Sequence, residues 1–245
     1  MGFKEGGLRG SLRNVSVGVG IPDSAIIQYD ASAESFTDGD AVGTITDQIN
    51  TNDLTGNATY RTGVQNGNAV YRHDGIDDGF DGSVQTLSQP LTIIAVVVSA
   101  AQVQGVDNDD REMIVTNDVG GGQGGEQALY WEGNSNDNWR LRANKIGDQF
   151  NNISGTTEPP PLLLTGILDG TNAELRENGE TVGTGNSGSV DWGTTATIGL
   201  RNDGVSDFLD GDLGEVIIYD ENLKSANALT DEEQRLANKW GLTLA

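Results

Sequence analysis

Three sets of side chains in this sequence have types and spacings that could serve a ligand: carboxylates clustered in two loops, aromatic rings beside turns, and one histidine. Asp107, Asp109 and Asp110 stand in "GVDNDDRE", and Asp203, Asp207 and Asp210 in "DGVSDFLDGD". Clustered oxygens suit a hard cation such as Ca2+ at about 2.3–2.6 Å, although neither loop follows the EF-hand pattern and solvated loop tips share the composition. Tyr130, Trp131, Trp139 and Trp192 are the rings that could stack on a sugar, with the fold's interior as their competing use. Beyond such a structural cation, no cofactor is required.

The same residues exclude most catalysis. His73 is the only histidine and cysteine is absent, so one chain holds no histidine-based triad, two-histidine metal site, thiolate nucleophile or disulfide. His73 falls in "YRHDGIDDGF", an alternating strand, where a structural role competes with a surface, pH-linked one. Glu215 and Glu221 are an even number of positions apart, but roughly 20 Å along a strand at about 3.3 Å per residue. Retaining glycosidases need their two carboxyl groups about 5–5.5 Å apart. "VGGGQGGE" contains G-x-G-x-x-G at Gly120, Gly122 and Gly125, yet a strand-like run follows it where a dinucleotide site needs a helix.

The elements that must position these residues read as strands. "AIIQYDA" (25–31), "AVGTITDQI" (41–49), "NAVYRHDG" (68–75), "LTIIAVVVSA" (91–100), "REMIVTN" (111–117), "QALYWEG" (127–133) and "WRLRANKI" (139–146) are separated by Gly, Asn and Asp. "LLLTGILDG" (162–170), "AELRENGE" (173–180), "TATIGLRN" (195–202) and "LGEVIIYDENL" (213–223) continue the pattern. Short strands rich in β-branched residues at this spacing predict an all-β antiparallel sandwich or barrel. "ENGE" predicts a hairpin with Asn178 and Gly179 at positive φ. One helix is expected at the end, where Thr230 and Glu233 have capping-box spacing and Gly241 closes it. Leu236, Ala237 and Trp240 share one face of that helix, so it should pack on the sandwich.

Charge divides the chain unevenly. The formal net charge is −23, from 24 Asp and 13 Glu against 4 Lys and 10 Arg. Phosphate backbones require clustered cations, so nucleic acid is excluded as a partner of the body. Few lysines and many short carboxylates resemble halophilic usage, since at molar salt the Debye length falls to about 3 Å and self-repulsion weakens; an ordinary acidic surface is the alternative. Residues 1–20 run the other way, with Lys4, Arg9 and Arg13 against Glu5. Such a glycine-spaced basic stretch predicts an arm, residues 1–24, that orders on a partner through Phe3, Lys4, Arg9 and Arg13, with a frayed terminus as the alternative. No secretory leader is expected, because glycine and arginine break the opening stretch, and the longest apolar run is too short to span a bilayer as a helix.

"FLDGDLGEVIIYDENL" followed by "LTDEEQRLANKWGL" resembles the C-terminal signature of the concanavalin A-like, laminin G-like family, as "YDASAESFTDGDAVGTITDQ" and "NAVYRHDGIDDGF" resemble its front. The resemblance implies a jelly-roll β-sandwich over residues 25–245 with lectin-like loops. Family hydrolases carry Glu-x-Asp-x-Glu along one strand, and no such string occurs here. "SVDWGTTA" resembles one copy of the Asp-box of sialidases, with Ala196 where Trp is usual, and implies a turn. The expected function is therefore non-enzymatic: a virion structural or surface protein of a halophile-infecting virus, located on the virion surface or extracellularly. Its arm would dock on other virion or assembly proteins, and its sandwich would bind surface glycans as a homo-oligomer without membrane insertion. An exported halophilic carbohydrate-binding module or adhesin is the alternative, followed by a glycan hydrolase or lyase.

Overall fold

A computed structural model describes residues 21–102, 111–117, 127–133, 137–146, 149–189, 191–201 and 206–245. The arm residues Phe3, Lys4, Arg9 and Arg13 and the loop aspartates Asp107, Asp109, Asp110 and Asp203 lie outside them. Among the described residues the strands are β1 (Ala25–Asp30), β2 (Thr44–Ile45), β3 (Leu54–Asn57), β4 (Thr59–Gln65), β5 (Asn68–Asp74), β6 (Gly79–Leu87), β7 (Leu91–Ala100) and β8 (Arg111–Thr116). They continue as β9 (Ala128–Glu132), β10 (Asn138–Ile146), β11 (Gln149–Ser154), β12 (Leu162–Leu168), β13 (Ala173–Glu177), β14 (Glu180–Gly185), β15 (Gly193–Ile198) and β16 (Asp210–Tyr219), with α1 at Leu229–Trp240.

The expected antiparallel sandwich forms. One sheet runs β14-β13-β12-β7-β16-β5-β4, with β1 joining β16, and the other runs β11-β10-β9-β8-β15-β6-β3-β2. Asn178 (φ 48°) and Gly179 (φ 82°) turn the β13–β14 hairpin with both residues left-handed, as "ENGE" predicts.

The first sheet is covered on both faces, which explains why its central strands are continuous apolar runs. Along β7, Leu91, Ile93, Ala95 and Val97 enter the core between the sheets, while Ile94, Val96 and Val98 enter a second core beneath α1. Leu162 and Leu164 against Leu163 and Ile167 divide β12 in the same way. A short unbroken run of β-branched residues is the pattern of a strand with no solvent face.

Helix α1 differs from its expected start. Its N-cap is Ala228 with no side-chain cap, so Thr230 and Glu233 make no capping box. Glu233 instead turns onto the sheet, where its carboxylate accepts from Arg176 Nε and Nη2 at 2.9 and 3.0 Å and from Thr165 Oγ1 at 3.0 Å. A half-buried guanidinium and a buried hydroxyl claim the carboxylate that would otherwise have reached back to the helix start. Gly241 closes the helix at φ 65°, and Leu236, Ala237 and Trp240 are buried, as the pattern implies. Trp240 lies flat against Gly214, where any Cβ would come within 2.5 Å of the ring. The strand bulges between Leu213 and Glu215, which aims Glu215 into the helix interface. There Glu215 accepts from Gln28 Nε2 at 2.7 Å, Lys239 Nζ at 2.6 Å and Trp240 Nε1 at 2.9 Å.

Candidate functional site

The second sheet has a different outer face. Alternation along β9 sends Leu129 and Trp131 inward and Ala128, Tyr130 and Glu132 outward, and along β10 it sends Trp139 and Leu141 inward and Asn138, Arg140 and Arg142 outward. Strand pairing then aligns outward residues in rows. One row is Arg111, Glu132 and Asn138; the next is Met113, Tyr130, Arg140 and Ser154; a third joins Thr116, Ala128, Arg142 and Asn152. Four of the chain's ten arginines, Arg111, Arg140, Arg142 and Arg201, gather at this end of the sheet or in the loop beside it.

The Tyr130 ring organises them. Arg142 stacks over it at 4.9 Å and Arg111 reaches it at 6.0 Å, both favourable to the ring's negative face. Arg142 Nη2 also donates to the Tyr130 hydroxyl at 3.2 Å and its Nε to Asn152 at 3.4 Å. Burial pushes the Tyr130 hydroxyl above its ordinary range, the Arg142 charge opposing. Glu132 faces two guanidinium groups, Arg140 Nε at 2.8 Å and Arg111 Nε at 3.8 Å. Neither contact has hydrogen-bonding geometry, so both Nε–H groups and Asn138 Oδ1 are buried without a hydrogen-bond partner. Buried polar groups left unmet in this way are uncommon and call for an explanation. Around them, Asn152 and Ser154 on the edge strand β11 are exposed.

This geometry revises the expected sugar platform. Trp131, Trp139 and Trp192 face the inter-sheet core with at most 2% of their surface exposed. Trp131 and Trp139 pack edge to face at 5.2 Å, and Trp139 Nε1 donates to the Glu158 carbonyl at 2.8 Å. Their positions put them opposite each other on the inward side of paired strands, where covered rings present no stacking face. Tyr130 alone of the four is on the outer face, and it too is buried, beneath arginines. Trp192 leads from the turn of the Asp-box-like segment into β15.

The aspartates expected to bind a cation are also placed differently. Asp207 lies 3.5 Å from Arg201 and 3.9 Å from Arg111, surroundings that repel a cation, and Asp210 is exposed at the start of β16, opposite Asp74. Among the described residues, the carboxylates that do converge are Asp74, Asp77 and Asp78, with oxygens within 4.8 Å of one another. Asp74 accepts from the amides of Ile76 and Asp77, and Asp78 from Asn57 Nδ2, so these groups already shape their own turn.

His73 takes the structural option. It points inward beside Phe80 and is 1% exposed, and a Cβ on Gly199 would lie within 2.4 Å of its ring. Burial lowers its pKa from 6.5 to about 4. The unfolded chain therefore binds the extra proton first as pH falls, so the stability conferred by the neutral ring is complete above about pH 6.5 and is lost down to about pH 4. The loss should reach about 3 kcal/mol at about 1.4 kcal/mol per pH unit. Between pH 7 and pH 4, urea titrations should show the parent losing about 3 kcal/mol more stability than His73→Leu; parallel curves against pH would show that the ring is not buried neutral.

No family model matches the chain, and no curated protein matches its sequence. Solved structures match its fold. Trypanosoma rangeli sialidase in complex with sialic acid aligns over 89% of this chain and 34% of that one, with TM-score 0.57 and 12% identity. The covalent intermediate of the same sialidase with 2,3-difluorosialic acid gives TM-score 0.59 at 14% identity, over 89% and 33% of the two chains. Botulinum neurotoxin type C, whose cell entry depends on interaction with two ganglioside molecules, aligns over 86% of this chain and 51% of that one, with TM-score 0.56 and 10% identity. The likeness is one of fold. This chain spans about a third of the sialidase and about half of the toxin chain. Among the described residues, no helix is long and apolar enough to cross a membrane.

Proposed function

We propose that this chain is a non-enzymatic, lectin-like β-sandwich that binds glycans on the outer face of its second sheet. One observation carries the reading: on this face the edge strand β11 exposes Asn152 and Ser154, an amide and a hydroxyl joined to Arg142 and Arg140. Sugars present donors and acceptors in close alternation, which such exposed polar groups in one row can satisfy. The sialidase and the toxin that share the fold are described with sialic acid and gangliosides, which supports the same class of ligand here. A glycan array probed in dilute and in molar salt should give binding with no release of reducing ends. Absence of binding to any glycan would contradict the reading, and turnover would replace it with an enzyme.

A second reading adds where the module acts. The arm is basic, net +2 over residues 1–20, while the rest of the chain carries −25, a contrast suited to holding an acidic neighbour in an assembly such as a virion. Deleting residues 1–20 should abolish incorporation into that assembly and leave the sandwich folded; unchanged incorporation would remove the docking role.

A further inference from the structure

We infer that the chain carries a second glycan site, a polar cavity at the edge of the first sheet that takes a neutral sugar; it shares its ligand class with the proposed function and not its location. Four segments meet around this cavity of about 410 Å3: the turn before β13, the start of β13, the end of β14 and the loop between β16 and α1. Its floor is tied together internally. Glu174, buried, accepts from Lys224 Nζ at 2.6 Å, from Arg176 Nη1 at 3.0 Å and from Thr181 Oγ1. Asn222, also buried, donates to Asp169 at 2.8 Å and accepts from the amides of Lys224 and Ser225 at 3.1 and 3.2 Å.

The rim is open to a ligand. Thr171, Asn172, Thr184 and Ser225 are exposed, and their side chains make no hydrogen bond among the described residues. Lys224 is exposed too, and its ammonium has further hydrogens to donate beyond the one that Glu174 takes. These accessible hydroxyl, amide and ammonium groups stand on a fixed floor, so binding has little order left to impose. Among the described residues lining the cavity, Glu174 and Lys224 are the only charged ones and neutralise each other, so neither an anion nor a cation meets an unmatched partner. Ala173 is the only apolar one and is buried, so an aromatic or lipid ligand meets no face. An uncharged molecule dense in hydroxyl groups fits this lining, and the volume falls in the range of about 300–1,000 Å3 usual for small-molecule sites. A neutral ligand also escapes the repulsion that a net charge of −23 exerts on anions. Thr184 and Glu174 pair in the row of Ile167, which packs beneath α1, so the cavity faces away from the second sheet. Two sites on opposite faces let one chain bridge two glycans.

The test is titration of the 15N-labelled protein with a panel of neutral oligosaccharides, beside a double variant, Asn172→Ala with Thr184→Val, and the single variant Asn152→Ala. All three changes are at exposed positions, and thermal transitions confirm that the variants fold. At least one neutral sugar should shift the Asn172 Nδ2–H signals of the parent; its affinity at the cavity should fall about tenfold in the double variant and stay unchanged in Asn152→Ala. Neutral sugars that fail to bind, that shift Asn152 alone, or that bind the double variant as tightly as the parent would overturn the second site, while the outer face is judged separately by the glycan array. Shifts at Asn172 without any at Asn152 would support the cavity and count against the outer face. Binding to no sugar in either experiment would overturn both.

Discussion

Trp139→Ala is expected to destabilise the protein by about 3–5 kcal/mol, the range for removing a large aromatic side chain from a packed core. The ring has no measurable exposure, packs edge to face with Trp131 at 5.2 Å, and donates to the Glu158 carbonyl at 2.8 Å. Its loss would open a cavity between the sheets, unpair a carbonyl and remove the aromatic contact. Denaturant midpoints at constant slope measure the change directly. A sugar-stacking ring would give a different result: binding lost and stability little altered. The substitution therefore separates the two uses that the sequence leaves open for this tryptophan.

Glu215→Ala should cost a comparable amount, about 3–5 kcal/mol, because it removes one partner from a buried ionic set. Lys239 Nζ bridges Glu215 and Asp30 at 2.6 Å to each, Arg235 stands 3.6 Å from Glu215, and Gln28 and Trp240 donate to it as well. Without Glu215, two cations and two neutral donors beneath α1 lose their common acceptor. In a double-mutant cycle with Lys239→Met, the pair of changes should cost less than the sum of the singles, since the stranded charge is removed together with its partner. Strict additivity would show that the two side chains do not interact across the helix interface.

The fold was legible where burial imposes a strong pattern. "LTIIAVVVSA" matches β7 end to end, "NAVYRHD" matches β5, and the Asn178–Gly179 turn has the expected backbone. The strands that escaped were β3, β4, β6 and β11, and β14 was implied only as the second arm of the hairpin. In "LTGN", "TYRTGVQ" and "GFDGSVQTL" glycine and exposed polar residues break the alternation, and it is strand pairing that holds these segments extended. The capping box at Thr230 failed because a spacing rule cannot see that Arg176, far away in sequence, claims Glu233.

The candidate site was legible only in part. Aromatic residues drew attention to β9 and β10, but one-residue alternation decides which rings face the core, and it turned Trp131 and Trp139 inward and Tyr130 outward. The same alternation carried a signal not read from the sequence. In "WRLRANKI" the arginines occupy the positions between Trp139 and Leu141 and beyond, so Arg140 and Arg142 must share the face opposite the core. Arg111 joins them through the β8–β9 register, which sequence spacing alone does not give.

The most direct test of the central claim is the side-chain amide spectrum of the 15N-labelled protein titrated with an oligosaccharide that it binds. The Nδ2–H signals of Asn152, exposed on the outer face of the second sheet, should shift at saturation. Saturation that leaves them in place, or that shifts only amides elsewhere such as those of Asn50 and Asn66, would contradict the assignment of this face as the binding site.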